Sequence, residues 1–358
     1  MTWPVTFTDH VDLFVKGRIS ESDASRQAAT VRAILKRLES QPGLVLADEV
    51  GMGKTFVALA VATMVALQDR ADRPVVVMVP PSVHAKWATD FRVFEERCLM
   101  PVLKRRLREG VAGNAVEFFR FLDDDRATRP HIIFLKHGAL HYNLNDPWIK
   151  FAVIKRALSS HSLSKQRAAF PRFAARLLRL ESTISDPAFY AEMLRVPARD
   201  WRRILVKWGL DTGDDPIPEV LHTVLRNEAV ELKPLRELLL KMPHYETDSV
   251  KDRLTQLRRG IVEAMREVWV QALMSADFRS PLLILDEAHH VRNRKTRLAS
   301  LFQSPDDVED RSEEAQRLEG ALANRFERML FLTATPFQMG HTELLNVLDR
   351  FQGIDWKH

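Results

Sequence analysis

Five short runs of uninterrupted apolar residues constrain this chain more than any other feature. They are GLVLA at 43–47, PVVVMVP at 74–80, HIIFL at 131–135, PLLILDE at 281–287 and MLFLTAT at 329–335. A strand with one wet face alternates apolar and polar side chains. These runs are apolar on both faces, the mark of strands buried within a parallel sheet. Parallel strands need crossovers, and helical patterns lie between the runs. Residues 22–39 place Val31, Ile34, Leu35 and Leu38 at helical spacing before QPG stops the pattern at 41–43. FVALAVATMVALQ, after Thr55, is apolar nearly all round, so that helix packs on both sides. Ser82 is placed to cap a helix holding Trp87, Phe91 and Phe94, and LKRRLRE at 103–109 reads as the decoration of another. The predicted class is α/β, a doubly wound parallel sheet.

In such sheets ligands bind beyond the carboxyl ends of the strands, and three of the runs end in polar clusters, ADEVGMGKT, DEAHH and TATP. The first reads as a phosphate loop between a strand and a helix, although Asp48 stands where the commonest pattern has glycine. Backbone N–H groups of such a loop wrap phosphates, and Gly51 and Gly53 permit the tight wrap. Lys54 would reach the β- and γ-phosphates, and the Thr55 hydroxyl would ligate Mg²⁺. Asp286, at the end of its strand, would hold the Mg²⁺ opposite Thr55, and Glu287 would polarise the attacking water. Taken without the loop, the pair reads more commonly as two solvated acids at a strand end. Thr333 and Thr335 offer hydroxyls that could relay loss of the γ-phosphate.

Between about 140 and 278 the strand signal fades into helical patterning punctuated by prolines. It ends in an amphipathic stretch with Ile261, Met265, Val268, Trp269 and Leu273 on one face. The expected organisation is therefore 1–140 and 279–358 as two parts of one α/β lobe, with 141–278 a helical insertion. Trp201, Trp208 and Trp269 of the insertion are assigned to packing. LDTGDDPIPE at 210–219 and the acidic stretch at 304–316 read as loops. VRNRKTR at 291–297 reads equally as a contact for nucleic-acid phosphates or as a solvated helix face.

Composition excludes several classes. Of 358 residues 46% are hydrophobic and 28% charged, an ordinary globular balance with material for a large core. Cys98 is the only cysteine, so neither an intrachain disulfide nor a cysteine zinc cluster can form. No apolar run approaches the ~20 residues of a membrane helix, and MTWPVTFTDHVDLF does not read as a signal peptide. A cytoplasmic protein without membrane partners is expected. The formal charge of +5 is a mild hint of an anionic partner.

DEVGMGKT, DEAH and LTATP, in this order, resemble helicase superfamily two, most closely its Swi/Snf-type DNA translocases. That branch writes its first motif D-E-x-G-x-G-K-T, matching Asp48, Glu49, Gly51, Met52 (at the variable place), Gly53, Lys54 and Thr55. Its second motif matches Asp286, Glu287, Ala288 and His289, and VVVMVPPSVHAKWATDF at 75–91 looks like its motif Ia, with Pro80, Ser82 and Trp87 in familiar places. The resemblance implies a RecA-like P-loop lobe using ATP and Mg²⁺, with Gln27 reading adenine. It implies that His289, Thr333 and Thr335 couple the site across the cleft, and that Ser82, Arg292, Arg294 and Lys295 face DNA, most naturally a duplex. It further implies a second RecA-like lobe of the same polypeptide, without which turnover would be nearly absent. The insertion has no assignable counterpart in the family, and a protein partner for it belongs to the interaction-module reading. Two wordings depart from the family: FLKHGAL at 134–140 in place of motif Ib, and TATPFQMG, which looks more like prokaryotic members. A DNA-restriction or phage-defence setting follows by analogy. The other readings are a strand-separating restriction-type helicase and a nucleotide-gated interaction module.

Overall fold

The computed structural model describes residues 3–48, 51–104, 106–140, 146–210, 213–226, 232–246, 250–276, 278–288, 322, 324–334 and 351. The chain divides into two compact units, one of Met1–His141 with Asp277–His358 and one of Tyr142–Ala276.

Among its described residues the first unit is built on six parallel strands: β1 (Gly43–Ala47), β2 (Val75–Val79), β3 (Glu109–Ala112), β4 (Ile132–Lys136), β5 (Leu283–Leu285) and β6 (Met329–Thr333). Their order across the sheet is β1-β6-β5-β2-β4-β3. The result is the expected α/β fold, and it is consistent with a RecA-like P-loop lobe. Strands β2, β5 and β6 are buried along their whole length, as unbroken apolar runs require. The helices of this unit are α1 (Glu21–Leu38), α2 (Lys54–Gln68), α3 (His84–Cys98), the single turn α4 (Pro101–Lys104) and α5 (Ala115–Asp123). Ser20 caps α1 by accepting from Asp23 N, and α1 packs on α2. Every residue of α2 from Val57 to Ala66 is buried, so it is wrapped on all sides as its sequence predicted.

Two local expectations need correction. Ser82 does not cap α3; it lies exposed in a 3₁₀ turn, Pro81–Val83, and α3 has Val83 at its N-cap without a side-chain bond. The Pro80–Pro81 pair starts a turn before Ser82 can occupy the capping position. The 103–109 stretch is not a helix either, because α4 ends at Lys104 and Glu109 opens β3. Among the described residues that strand pairs only with β4, and its short EGVA sequence carries no apolar run to announce it.

The second unit is helical throughout its described residues: α6 (Pro147–Leu158), α7 (Ser164–Leu178), α8 (Pro187–Arg195), α9 (Trp201–Lys207), α10 (Glu219–Arg226), α11 (Lys233–Leu240) and α12 (Val250–Ser275). Phe151 stacks on Trp201 at 4.8 Å and on Phe170 at 5.5 Å, and Trp201 and Trp269 are fully buried. Trp208 is half-buried, donating to Glu192 Oε2 at 3.0 Å. Lys155 donates to the carbonyls of Met193 and Val196 as α8 ends, and Arg156 Nε donates to Leu225 O at 2.9 Å near the end of α10. These cations satisfy carbonyls that a helix terminus leaves open.

Candidate functional site

The loop after β1 is set by neighbours on both sides. Ala47 is in register with Thr333 of β6, and Asp48 N donates to Thr333 O at 3.4 Å. The loop re-enters helix through Gly53, whose φ of +83° is the left-handed conformation glycine adopts most readily. Helix α2 then begins without a side-chain cap, so its first amides and its dipole face outward, the arrangement that receives an anion. Lys54, first residue of α2, donates its ammonium to the Asp48 carbonyl across the loop, and Thr55 follows it, half-buried.

Helix α1 closes the loop from the side. Gln27 is buried, with its Nε2 3.5 Å from Met52 O, and Arg26 Nη2 donates to the same carbonyl at 3.2 Å. Arg26 Nη1 also lies 3.5 Å from Asp48 Oδ2, so the acid that replaces the usual glycine has a cationic partner. Beside these residues opens a cavity of about 440 Å³, lined by Arg26, Gln27, Gly51, Met52 and Gly53 on the loop side. Leu13, Val15, Arg18, Ile19, Ser20, Asp23, Phe56 and Val93 complete it. The 13–19 segment is held there because Asp12 N donates to Cys98 O and Met100 N to His10 O, pinning the chain start to the end of α3.

Asp286 follows β5, with its N–H donating to Met78 O of β2 at 2.9 Å. Its side chain is gripped twice: Trp87 Nε1 donates to Oδ2 at 2.9 Å and Glu287 N to Oδ1 at 3.0 Å. Burial pushes the Asp286 carboxyl up from the ordinary aspartate range. The Trp87 hydrogen bond opposes that rise, the charge of Glu287 adds to it, and the charge of Lys54 opposes it. The field of Lys54 on Asp286 links phosphate loop and acid into one electrostatic neighbourhood. Glu287 has φ of +50°, unusual for a residue with a side chain, and such strain clusters at functional sites. Among the described residues no cluster of three His, Cys, Asp or Glu could hold a metal alone. Mg²⁺ bound with a nucleotide needs no such cluster, taking one or two carboxylates plus phosphate oxygens and water.

Of the residues named from sequence, Gln27, Asp48, Gly51, Met52, Gly53 and Lys54 are brought together around the loop, with Thr333 against its start. Ser82 stands apart, exposed before α3. Glu49, His289, Arg292, Arg294, Lys295 and Thr335 lie outside the described residues. Sequence reasoning missed Arg26 and the 13–19 wall, although Val11, Leu13 and Val15 alternate in VDLFV and could have flagged a packed extended segment.

A second cavity, about 330 Å³, lies within the helical unit among Lys155, Arg156, Arg199, His222 and Arg226. Three of its cations already serve the chain: Lys155 and Arg156 hold helix-end carbonyls, and Arg226 pairs with Glu219 at 3.0 Å.

A parallel sheet with an uncapped helix behind a glycine loop, and an acid on a nearby strand end, is consistent with a RecA-like P-loop lobe. Comparison with known families narrows it: residues 26–110 match the model of the SNF2-related domain. The matched segment is similar to the ATPase lobe of Swi/Snf-type helicases in superfamily two, and runs from α1 through the phosphate loop and α3 into β3. No curated protein matches the chain significantly. Among the described residues no helix is long and apolar enough to cross a membrane.

Proposed function

We propose that the first unit is the ATP-binding lobe of a nucleic-acid-dependent ATPase that couples hydrolysis to translocation on double-stranded DNA. The observation that carries this reading is the loop itself, an uncapped α2 with Lys54 across it and Gln27 against Gly53, opening on the 440 Å³ cavity. The base would sit in that cavity, with Arg18, Ser20, Asp23, Arg26 and Gln27 among its polar walls. Phosphates would lie over the α2 amides, and Lys54 would exchange the Asp48 carbonyl for phosphate oxygens. Thr55 and Asp286 would hold Mg²⁺, which when bound neutralises charge developing on the phosphates. Glu287 would orient water and take its proton, with Thr333 transmitting the change along β6. A lobe of this kind acting by itself turns over slowly, because an arginine supplied from another lobe is worth ~10³–10⁵ in rate.

Two measurements test the reading. A fluorescent ATP analogue with Mg²⁺ should bind the wild type, and Lys54→Ala should weaken that binding at least tenfold. Equal affinity in the variant overturns the nucleotide assignment. For translocation, the protein including any partner lobe should displace a triplex-forming strand from duplex DNA with ATP, and Glu287→Gln should abolish displacement. Displacement that persists in Glu287→Gln, or never occurs despite ATP binding, removes the motor reading and leaves a nucleotide-gated interaction module.

A further inference from the structure

Trp87 makes a contact that core packing does not require. It is buried in α3, with its ring 6.3 Å from that of Phe134, and a phenylalanine would fill such a place. Its indole nevertheless directs the one donor it owns at Asp286 Oδ2, 2.9 Å away. Oδ1 is taken by Glu287 N at 3.0 Å. The terminal torsion of an aspartate is broad and two-fold, so one bond leaves the carboxylate plane loosely set. Two bonds on opposite oxygens fix it. A carboxylate has about four lone-pair positions, and one donor on each oxygen leaves acceptor capacity on both.

We infer that Trp87 is a positioning residue for Asp286, its indole N–H fixing the plane in which the carboxylate offers its remaining lone pairs to the divalent cation of a bound nucleotide. The inference rests on the reading of Asp286 as a metal-holding carboxylate. Helix α3 then does more than pack on the sheet, because it also sets the geometry at the end of β5. The anchoring of α3 supports this, since His84 Nε2, 3.2 Å from Phe134 O, ties its first turn to β4. Phe91 meets the Phe134 ring at 5.7 Å one turn beyond Trp87.

The test measures metal binding and needs no turnover. Free Mn²⁺ is followed by electron paramagnetic resonance as it binds the full chain with a non-hydrolysable ATP analogue. Wild type, Trp87→Phe and Asp286→Asn are compared, with thermal unfolding and metal-free nucleotide affinity as controls. Trp87→Phe should weaken Mn²⁺ about tenfold, the scale of one hydrogen bond to a charged group, and leave metal-free nucleotide affinity within about twofold. Should that variant unfold, 3-benzothienylalanine at position 87 keeps the ring shape and replaces only the N–H with sulfur; it should show the same loss. Weak Mn²⁺ binding in Asp286→Asn with wild-type binding in both position-87 variants overturns the inference alone. Wild-type binding in Asp286→Asn overturns the metal reading, and this inference with it.

Discussion

A Cβ placed on Gly53 would sit 2.0 Å from Gln27 Nε2, so the loop after β1 and α1 meet at a point where any side chain at 53 must push Gln27 aside. Gly51, two residues earlier, also has a positive φ, +89°, but a Cβ there would meet nothing within 4 Å. The two glycines are therefore separable. Gly51→Ala carries backbone strain alone, about 1–2 kcal/mol, whereas Gly53→Ala must also drive Gln27 from its buried place. Nucleotide affinity should fall at least tenfold further in Gly53→Ala than in Gly51→Ala. Adding Gln27→Ala should restore part of the stability lost in Gly53→Ala and little in Gly51→Ala. Titration with a fluorescent nucleotide and thermal unfolding of the four variants measure both.

Arg26 joins α1 to the loop through Met52 O and Asp48. The arginine is part exposed, 39% at the side chain, so the pair contributes little to folding, within about 1 kcal/mol. On the proposed reading of the loop, it holds the loop ready for nucleotide. Arg26→Ala should leave the melting temperature nearly unchanged and weaken nucleotide binding several-fold, and Asp48→Asn should show the same pattern. In wild type the difference should shrink as salt is raised, because exposed charges are screened. An unfolding transition shifted by many degrees would instead make Arg26 part of the core.

The central strands were legible because burial on both faces leaves nothing to alternate, and four of the five runs became β2, β4, β5 and β6; the fifth became β1, which lies at the sheet edge and is only half-buried. The loop between β1 and α2 was legible because its turn needs glycines, Gly51 and Gly53 both having positive φ. What escaped has physical reasons. Strand β3 is short, contains Gly110, and draws its stability from the backbone of β4, so local sequence barely marks it. Ser82 looked like a cap, but two prolines moved the helix start past it. Arg26 and the Trp87–Asp286 bond depend on which elements meet in space, and the latter joins residues 199 positions apart. No spacing rule reaches that far.

Lys155 carries a structural prediction in the helical unit. Its ammonium donates to Met193 O at 2.9 Å and to Val196 O, and lies 5.3 Å over the Trp201 ring. Lys155→Met should strand those carbonyls and cost about 2 kcal/mol. Burial, then the charge of Arg167, push the group down from 10.5 to about 8 in the folded chain. Between these values the unfolded chain holds the extra proton, so wild-type stability should rise with pH from about 8 to about 10.5. Lys155→Met should lack that rise, which urea unfolding at a series of pH values would record. A flat wild-type profile would mean that the carbonyls and the ring hold the ammonium charged.

Cys98 ends α3, 2% exposed, where its carbonyl accepts from Asp12 N and so joins the chain start to the cavity wall. Burial, with the charge of Asp12 adding to it, pushes its thiol up from 9.0 to about 12. The thiolate is the reactive form, so the native protein at pH 8 should resist an aromatic disulfide reagent and react stoichiometrically once unfolded in denaturant. The labelling rate then reports opening of this corner. Nucleotide should slow it, since the 13–19 segment held by the same contact lines the cavity. The folded value lies above the unfolded one, so this contribution to stability is complete below about 9 and is lost as pH rises toward about 12. Cys98→Ala should remove that slope and cost about 1 kcal/mol through the space it leaves. Rapid labelling of the native, nucleotide-bound protein at pH 8 would show that the chain start does not close over α3 in solution.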